Sequence, residues 1–224
     1  MKGKLIVIES GTDASGKATQ SEKLYRRLKR EGYQVHKVEY PNYQSQSSAL
    51  VRMYLQGEFG QNPEDVNSYV ASTFFAVDRY ASFHKEWKRL YEEGDIIIAD
   101  RYTTSNMVHQ TSKIADLEKR QEFLDWLWDL EFNKFTLPVP DIVIFLDMPP
   151  EQSHTLMKGR KNKTRDIHEK DRQYLLETYK NADWIAGKFN WHRINCLKNG
   201  ELKSIAEIHE EIYRVVKAIL SGGE

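Results

Sequence analysis

The chain has 224 residues, and its 33 basic and 33 acidic side chains give a formal net charge of zero. This length allows one α/β domain with a full core, and the absence of a basic excess argues against a protein that binds nucleic-acid polymers. A single cysteine, Cys196, rules out an intrachain disulfide and a cysteine-based zinc site. No apolar run approaches the roughly 20 residues of a membrane span, so we expect no membrane partner and a cytoplasmic location.

The first predicted strand, Leu5–Ile8, leads into the most informative segment of the chain. The strand is an apolar run with the length and β-branching of a buried parallel strand. The sequence GTDASGKAT at residues 11–19 follows it and has the spacing of a P-loop. Its glycines let backbone N–H groups converge on a phosphate, and the next helix adds its positive N-terminal end. Lys17 adds a charge for the β- and γ-phosphates.

One position departs from the P-loop pattern. The residue after the P-loop lysine is normally Ser or Thr, whose hydroxyl binds Mg²⁺. Here it is Ala18, which cannot bind a metal, and Thr19 points about 100° further around the helix. Either other oxygens and water hold the metal, which Mg²⁺ permits because it keeps several waters, or catalysis is weak.

The remaining elements alternate along the chain. Apolar residues at helical spacing predict helices, and short apolar runs predict strands. The predicted helices are Lys17–Arg30, Ala49–Leu55, Pro63–Leu90, Leu117–Phe135, Pro150–Gly159, Asp171–Ala186 and Ile205–Leu220, and the further strands are Val35–Tyr40, Asp95–Asp100, Asp141–Asp147 and Trp191–Cys196. Five strands that alternate with helices predict a parallel sheet covered on both faces. We therefore predict an α/β fold of the P-loop NTPase type, with three layers, formed by residues 1–224 as one domain.

The third predicted strand ends in two residues with candidate chemistry. A carboxylate at the carboxyl end of a strand near a P-loop, here Asp100, can hold Mg²⁺ or its waters. Arg101 beside it can bind a phosphate in a bidentate manner. An Asp-Arg pair alone is uninformative, and its position after a buried strand near a P-loop favours the functional interpretation.

Two other segments allow both a structural and a functional interpretation. Four cations lie between residues 159 and 165, either in a solvated loop or in a lid, at about 159–170, that closes over a nucleotide. Phe75 and Arg79 are four residues apart on a predicted helix and therefore share a face. They could stack on and hydrogen-bond a nucleobase, although a core Phe with a surface Arg is the commoner arrangement.

These motifs occur in an order that resembles the thymidylate kinase family, whose members phosphorylate dTMP with ATP. The resemblance extends from about Lys4 to Leu220 and includes an acidic residue inside the P-loop, Asp13. The segment DRYTTSNMVHQ at residues 100–110 is close to the family signature DRYxxSxxAYQ, and FFAVDR at residues 74–79 is similar to the family's thymine-binding helix. The segments EFNKFTLPVPD at 131–141 and RDIHEKD at 165–171 also resemble family segments. Members are typically homodimers, so the resemblance implies a homodimer.

The resemblance implies roles for the matched residues. The residues that would bind ATP are Gly11, Thr12, Asp13, Ala14, Ser15, Gly16, Lys17, Ala18 and Thr19. The residues that would contact dTMP are Asp13, Tyr43, Phe75, Arg79, Arg101, Asn106, His109 and Gln110. The residues that would act in catalysis are Lys17, Asp13, Arg101, Arg160 and Arg165. Mg²⁺ would be held by Asp100, directly or through water.

Individual roles follow from the same resemblance. Phe75 would stack on thymine, Arg79 and Asn106 would read its polar edge, and Arg101 would hold the phosphate of dTMP. Arg160 and Arg165 would belong to the lid. Some members have an arginine inside the P-loop where this chain has Ala14, so the chain resembles the subtype whose lid supplies the catalytic arginine.

Two further departures leave alternatives open. His109 stands where the family commonly has a Tyr that packs against the sugar and helps to exclude ribose, and Asn42 stands where some members have a phosphate-binding Arg. One alternative is therefore a kinase of the same fold that acts on another acceptor, such as dUMP or a deoxynucleoside. The other is a nucleotide-binding protein with little catalysis, in which Ala18 marks a lost metal site.

Overall fold

The structure is a computed structural model that describes residues 2–12, 14–153 and 172–222. Its main strands are β1 (Lys4–Glu9), β2 (Val35–Glu39), β3 (Ile96–Asp100), β4 (Ile142–Asp147) and β5 (His192–Asn195). They form one parallel sheet in the order β2-β3-β1-β4-β5. The prediction of a five-stranded parallel sheet is confirmed.

Helices connect the strands. They are α1 (Lys17–Arg30), α2 (Ala49–Gln56), α3 (Ser68–Ser82), α4 (Lys88–Glu93), α5 (Thr103–Thr111), α6 (Leu117–Trp128), α7 (Arg172–Lys188) and α8 (Ile205–Leu220). Both α1 and α8 begin and end at the predicted residues. Residues 150–153 are also helical, and the rest of the helix predicted to end at Gly159 lies outside the described residues. No helix in the described ranges has the length and apolar character needed to cross a bilayer.

The prediction of one long helix over Pro63–Leu90 is wrong. The proline begins only a 3₁₀ turn, after which Val66 is extended, with φ −113° and ψ 120°. A new helix, α3, then begins after Asn67, whose side chain accepts a hydrogen bond from the Val70 N–H at 2.9 Å. The apolar periodicity is continuous through this region, and the second helix start is set by the asparagine cap.

Other local features also differ from the predictions. The segment Phe83–Trp87 between α3 and α4 is a π-helical turn, and so is Asp129–Lys134 after α6, where a continuous helix was predicted. Helix α5 was not predicted, because its residues are polar and poor helix formers. A two-residue hairpin of β6 (Leu197–Lys198) and β7 (Glu201–Leu202) was also missed. Its turn is Asn-Gly, a strong hairpin signal.

Strand β1 separates two apolar clusters, because alternate side chains of a strand point to opposite faces of the sheet. Ile6 and Ile8 pack into a cluster with Leu24 of α1 and with residues of α8. Leu5 and Val7 lie in a second cluster, which is rich in aromatic side chains. Both faces of this central strand are therefore buried, which explains why its sequence is a continuous apolar run.

The register of β1 and β3 positions the candidate site. Ile8 is paired with Asp100, and the Arg101 N–H donates to the Ile8 carbonyl oxygen at 3.2 Å. Because the strands are parallel, the segments that follow them leave the sheet at the same edge. The glycine-rich loop after β1 therefore starts beside Asp100 and Arg101.

The core assignment of Leu24 can be tested by its truncation. We expect Leu24→Ala to lower the free energy of unfolding by about 2–5 kcal/mol, because the side chain is fully buried and its removal leaves a cavity. The matched control is Leu117→Ala, which makes the same change at a residue that is 65% exposed, and we expect a loss below about 0.5 kcal/mol. Urea unfolding followed by circular dichroism measures both variants, and equal losses would contradict the core assignment.

Candidate active site

The loop between β1 and α1 has the backbone shape of an anion site. Ala14 and Gly16 have left-handed conformations, with φ of 58° and 91°. Gly16 caps α1 without a side-chain hydrogen bond, and the first backbone bond of the helix runs from the Gln20 N–H to the Gly16 carbonyl oxygen. A Cβ at Gly16 would meet no described atom within 4 Å, so the space beside this helix end is open. The N–H groups and dipole of such a helix start attract a phosphate.

The beginning of the loop is packed against other elements. A Cβ at Gly11 would lie 2.6 Å from the Cβ of Ala182 on α7, so only glycine allows this close approach. The Thr12 hydroxyl donates to the Met148 carbonyl oxygen, just after β4, at 3.1 Å. These contacts join the loop to α7 and to the end of β4.

The Lys17 ammonium lies inside the loop. Its Nζ donates to Ser10 Oγ at 2.7 Å and to the Thr12 carbonyl oxygen at 3.1 Å. The Ser10 and Ser15 hydroxyls are 2.7 Å apart, so the wall of the loop is a connected polar network. These contacts hold the positive charge of Lys17 at the N-terminus of α1. The charge and the helix N-terminus both favour a phosphate at this point.

Asp100 ends β3 beside this loop and is 8% exposed. Burial raises the pKa of its carboxyl, and the positive charges of Lys17 and Arg101 oppose that rise. No cluster of three or more His, Cys, Asp or Glu side chains in the described ranges could hold a metal. Mg²⁺ does not need such a cluster, because it is commonly held by one or two carboxylates while phosphate oxygens and water complete its octahedral shell.

Arg101 adopts an unusual backbone conformation, with a φ of 66°. Its Nη1 lies 3.1 Å from His109 Nε2 and 3.4 Å from Ser105 Oγ. These two residues are four apart on α5 and therefore present one face of the helix to the guanidinium. The structure thus places Arg101 and His109, two of the predicted acceptor-site residues, in direct contact.

Glu9 is a buried residue that the sequence analysis missed. Its carboxylate accepts hydrogen bonds from the Ser10 N–H at 2.9 Å, the Thr104 hydroxyl at 2.8 Å and the Ser105 hydroxyl at 2.6 Å. It also lies 3.9 Å from Nη1 of Arg101. Glu9 therefore connects the glycine-rich loop with α5 and with Arg101. A charged residue at the end of an apolar strand was the available signal.

A second buried carboxylate, that of Glu131, joins the residues predicted to read the base. Arg79 is 2% exposed, and its Nε and Nη2 donate to the two carboxylate oxygens at 2.7 and 2.6 Å. Asn106 Nδ2 donates to the same carboxylate at 3.3 Å and to the Ser72 carbonyl oxygen at 3.1 Å. Arg79 and Asn106 therefore meet at Glu131, which is fully buried. Glu131 begins the segment at residues 131–141 that resembles the family, but its role was not predicted.

The other predicted acceptor residues have different surroundings. Phe75 is partly buried and packs edge-on against Tyr54, with ring centroids 6.1 Å apart. Tyr43 is 50% exposed. Gln110 is buried, and its backbone carbonyl oxygen accepts from the Ser68 hydroxyl at 2.8 Å.

The segment that carries Asn42 is anchored to α3. The Asn42 N–H donates to Asp78 at 2.8 Å, and its side-chain amide donates to Glu86 at 3.0 Å. The Ser47 hydroxyl also donates to Asp78, at 2.6 Å. Asn42 is therefore engaged with carboxylates.

The remaining predicted positions are exposed or lie outside the described residues. Ala18 and Thr19 are exposed in the first turn of α1. Asp13, Arg160 and Arg165 lie outside the described residues, as does the lid predicted at about 159–170. The roles of these three residues and of the lid stay predictions.

Lys113 supports the aromatic cluster next to Phe75. Its Nζ donates to the Tyr54 hydroxyl at 2.8 Å and to the Val66 carbonyl oxygen at 3.2 Å. Burial lowers the pKa of this amine to about 8, and the charge of Glu64 opposes the shift only in part.

Comparison with known proteins identifies related sequences and structures. A sequence model described as thymidylate kinase matches residues 8–212. A probable thymidylate kinase of Thermococcus onnurineus is 32% identical over 219 residues, which cover 95% of this chain and 96% of the relative. The thymidylate kinase of Mycobacterium tuberculosis is 30% identical over 179 residues, 78% of this chain and 81% of the relative. A solved structure of thymidylate kinase from Candida albicans has a TM-score of 0.71 at 20% identity, over 97% of this chain and 92% of that chain, which confirms the predicted P-loop NTPase fold.

The lowered pKa of Lys113 predicts that the free energy of unfolding rises with pH. The pKa of the amine is 10.5 without the protein environment and about 8 in the folded chain, so between these values the unfolded state binds more protons and the free energy of unfolding increases with pH. We expect Lys113→Met to lose this increase, so the stability of the wild type relative to the variant should grow between about pH 7.5 and about pH 9.5. Urea unfolding at both pH values measures it, and a difference that does not change with pH would contradict a buried amine.

Proposed function

This chain belongs to the thymidylate kinase family and phosphorylates dTMP, and we propose that it uses ATP and Mg²⁺ at a site formed by the P-loop, Asp100 and Arg101. The observation that carries the proposal is the register of β1 and β3, which sets the P-loop lysine beside the Asp100–Arg101 pair. A reaction between two phosphate groups needs both of them held by positive charge in one place. Lys17 and Arg101 supply this positive charge at one edge of the sheet.

The P-loop residues would hold the phosphates of ATP. The open helix start at Gly16 offers N–H groups, and Lys17 offers an ammonium. The oxygens of Ser10 and Thr12 that accept from Lys17 are neutral. Charged phosphate oxygens form stronger hydrogen bonds with an ammonium than these neutral oxygens do, so they would compete for it.

Mg²⁺ would bind at Asp100, directly or through water. When bound, the ion would neutralise part of the charge on the phosphate oxygens. Ala18 has no hydroxyl that could bind Mg²⁺, whereas Asp100 has a carboxylate next to the P-loop. The resemblance adds Asp13 inside the loop as a further acidic residue of the site.

Arg101 would bind the phosphate of dTMP, with Tyr43 and His109 near its sugar. Phe75 would stack on the thymine ring, and Arg79 and Asn106 would contact its polar edge. An oxygen of the acceptor phosphate would attack the γ-phosphorus in line, without a protein nucleophile, while the bond from the γ-phosphorus to the β,γ-bridging oxygen breaks and ADP leaves. Lys17, Arg101 and the lid residues Arg160 and Arg165 would neutralise the charge that develops on the transferred group.

A wider acceptor range is the alternative that specific residues favour. His109 is smaller than the tyrosine that is common in the family, and it contacts Arg101. Asn42 is engaged with Asp78 and Glu86 and brings no positive charge to the acceptor phosphate. His109 would weaken the exclusion of a ribose sugar, and Asn42 would weaken the binding of any acceptor phosphate, so neither residue adds selectivity for dTMP.

We also propose a cytoplasmic homodimer, formed through an exposed face of α3. Four apolar side chains of this helix are each 40–45% exposed: Tyr69, Val70, Val77 and Tyr80. Val70, Val77 and Tyr80 lie seven and ten residues apart and therefore share one face of the helix. Contiguous exposed apolar surface is typical of an interaction site, and the family resemblance favours a second copy as the partner.

Release of ADP from ATP·Mg²⁺, with dTMP, dUMP, dGMP or UMP offered separately, tests the proposed reaction. We expect dTMP to be the preferred acceptor and expect chelation of divalent ions to abolish turnover. We expect Lys17→Ala to lower turnover at least about a hundredfold, because it removes a preorganised charge at the transferred group.

The matched control is Lys29→Ala, at an exposed lysine of the same helix, which should keep near-normal turnover. Near-normal turnover of Lys17→Ala would contradict the assignment of the ATP site. Turnover in a chelator would contradict the magnesium proposal, and equal rates with dTMP and dUMP would favour the wider acceptor range.

The homodimer proposal predicts the sedimentation behaviour of the protein. One chain has a mass of 26.3 kDa, and we expect the wild type to sediment as two associated chains. Val77→Glu should shift the protein to single chains, because it places a charge in the apolar face of α3. Val139→Glu makes the same change at a similarly exposed residue outside α3 and should leave the dimer intact. A wild type that sediments as single chains would exclude the proposal.

A further inference from the structure

We propose that Glu131 fixes the donor and acceptor pattern that Arg79 and Asn106 present to the acceptor base, and so acts as a positioning residue for base selection. The inference rests on the proposed function in one respect, namely that these two residues face the base. The rest follows from the contacts of one buried carboxylate.

The contact with Arg79 fixes the plane and the free edge of its guanidinium. Both carboxylate oxygens are used, one by Nε and one by Nη2, and such a two-point contact prevents rotation of the group. Within the described ranges, no hydrogen bond engages Nη1 of Arg79. Two of the five N–H donors are used, so two on Nη1 and one on Nη2 remain, and the fixed plane gives each of them a defined direction.

The contact with Asn106 fixes the orientation of its amide. Nδ2 has two hydrogens, and they are directed to the Ser72 carbonyl oxygen and to Oε1 of Glu131. An inverted amide would bring Oδ1 against these two oxygens, which is repulsive. Among the residues that the structure describes, none forms a hydrogen bond with Oδ1. This oxygen is therefore the acceptor that remains for a ligand.

Glu131 can hold this arrangement because its own hydrogen bonds are complete. Thr103 adds a fourth donor, from its hydroxyl to Oε2 at 2.7 Å. The charge of the carboxylate neutralises the buried guanidinium, which would otherwise be costly to bury. A neutral side chain of the same shape would lack both the charge and one of the acceptors.

A guanidinium donor on Nη1 with a fixed direction, beside the acceptor Oδ1 of Asn106, matches one class of base. Thymine and uracil present an acceptor, O4, beside a donor, N3–H, so each finds its complement in Arg79 Nη1 and Asn106 Oδ1. Cytosine presents the opposite order, an amino donor beside the acceptor N3. It would leave unpaired groups in a buried site, which is a strong basis for rejection.

The variant Glu131→Gln tests the inference, with kcat and KM measured for dTMP, dCMP and ATP. Gln has one acceptor oxygen and an amide NH₂ group. This NH₂ group would face the N–H donors of Arg79 and Asn106, and the Asn106 amide could then invert so that Oδ1 accepts from it. We expect the ratio of kcat/KM for dTMP to that for dCMP to fall at least about tenfold, mainly through KM for dTMP, with KM for ATP unchanged.

Two further variants separate positioning from general stability. Thr103→Val removes one donor to Glu131 but keeps its charge and its contacts with Arg79 and Asn106, so the ratio of dTMP to dCMP should fall less than in Glu131→Gln. Glu131→Asp keeps the charge but shortens the side chain, and the contact with Asn106 is already the longest of the four. Its ratio should fall between those of the wild type and Glu131→Gln.

The outcomes distinguish this inference from the proposed function. A wild type that does not prefer dTMP over dCMP would remove the premise. A selective wild type with an unchanged ratio in folded Glu131→Gln, checked by circular dichroism, would overturn the positioning role. If Glu131→Gln does not fold, Glu131→Asp decides, and a wild-type ratio in that variant would overturn the proposal.

Discussion

The parallel pairing of β1 with β3, with Ile8 opposite Asp100, brings together groups that are about ninety residues apart in the chain. The glycine-rich loop follows one strand and Arg101 follows the other, so both leave the sheet at one edge. β1 is buried on both faces, and a shift of one residue would exchange the side chains that pack into its two apolar clusters. The arrangement of positive charge at this edge is thus a consequence of how the core is packed.

Two buried carboxylates organise the rest of the site, and helix α5 lies between them. Four consecutive residues at its start divide their donors between the two acids: Thr104 and Ser105 bond to Glu9, while Thr103 and Asn106 bond to Glu131. Residues three apart on a helix share a face, which explains how neighbouring residues serve different partners. Each carboxylate also lies beside an arginine: Glu131 binds Arg79 directly, and Glu9 lies close to Arg101.

Buried charge is unfavourable unless it is paired and hydrogen-bonded. In this chain the buried carboxylates of Glu9 and Glu131 lie where Arg101 and Arg79 need fixed positions. The same requirement explains the composition of α5. Threonine, serine and asparagine are poor helix formers, but here their side chains satisfy buried acids. The helix is therefore stabilised by its tertiary contacts more than by its intrinsic propensity.

The sequence by itself determined the features whose signal is local. The apolar run of β1, the glycine spacing before Lys17 and the bounds of α1 and α8 could be predicted, because each depends on neighbouring residues and on burial of one face. The order of motifs also indicated the family. The roles of Glu9 and Glu131 were decided only by the tertiary structure. Arg79 lies 52 residues from Glu131, and an acidic residue in a sequence does not reveal whether distant elements will bring donors to it or leave it in water.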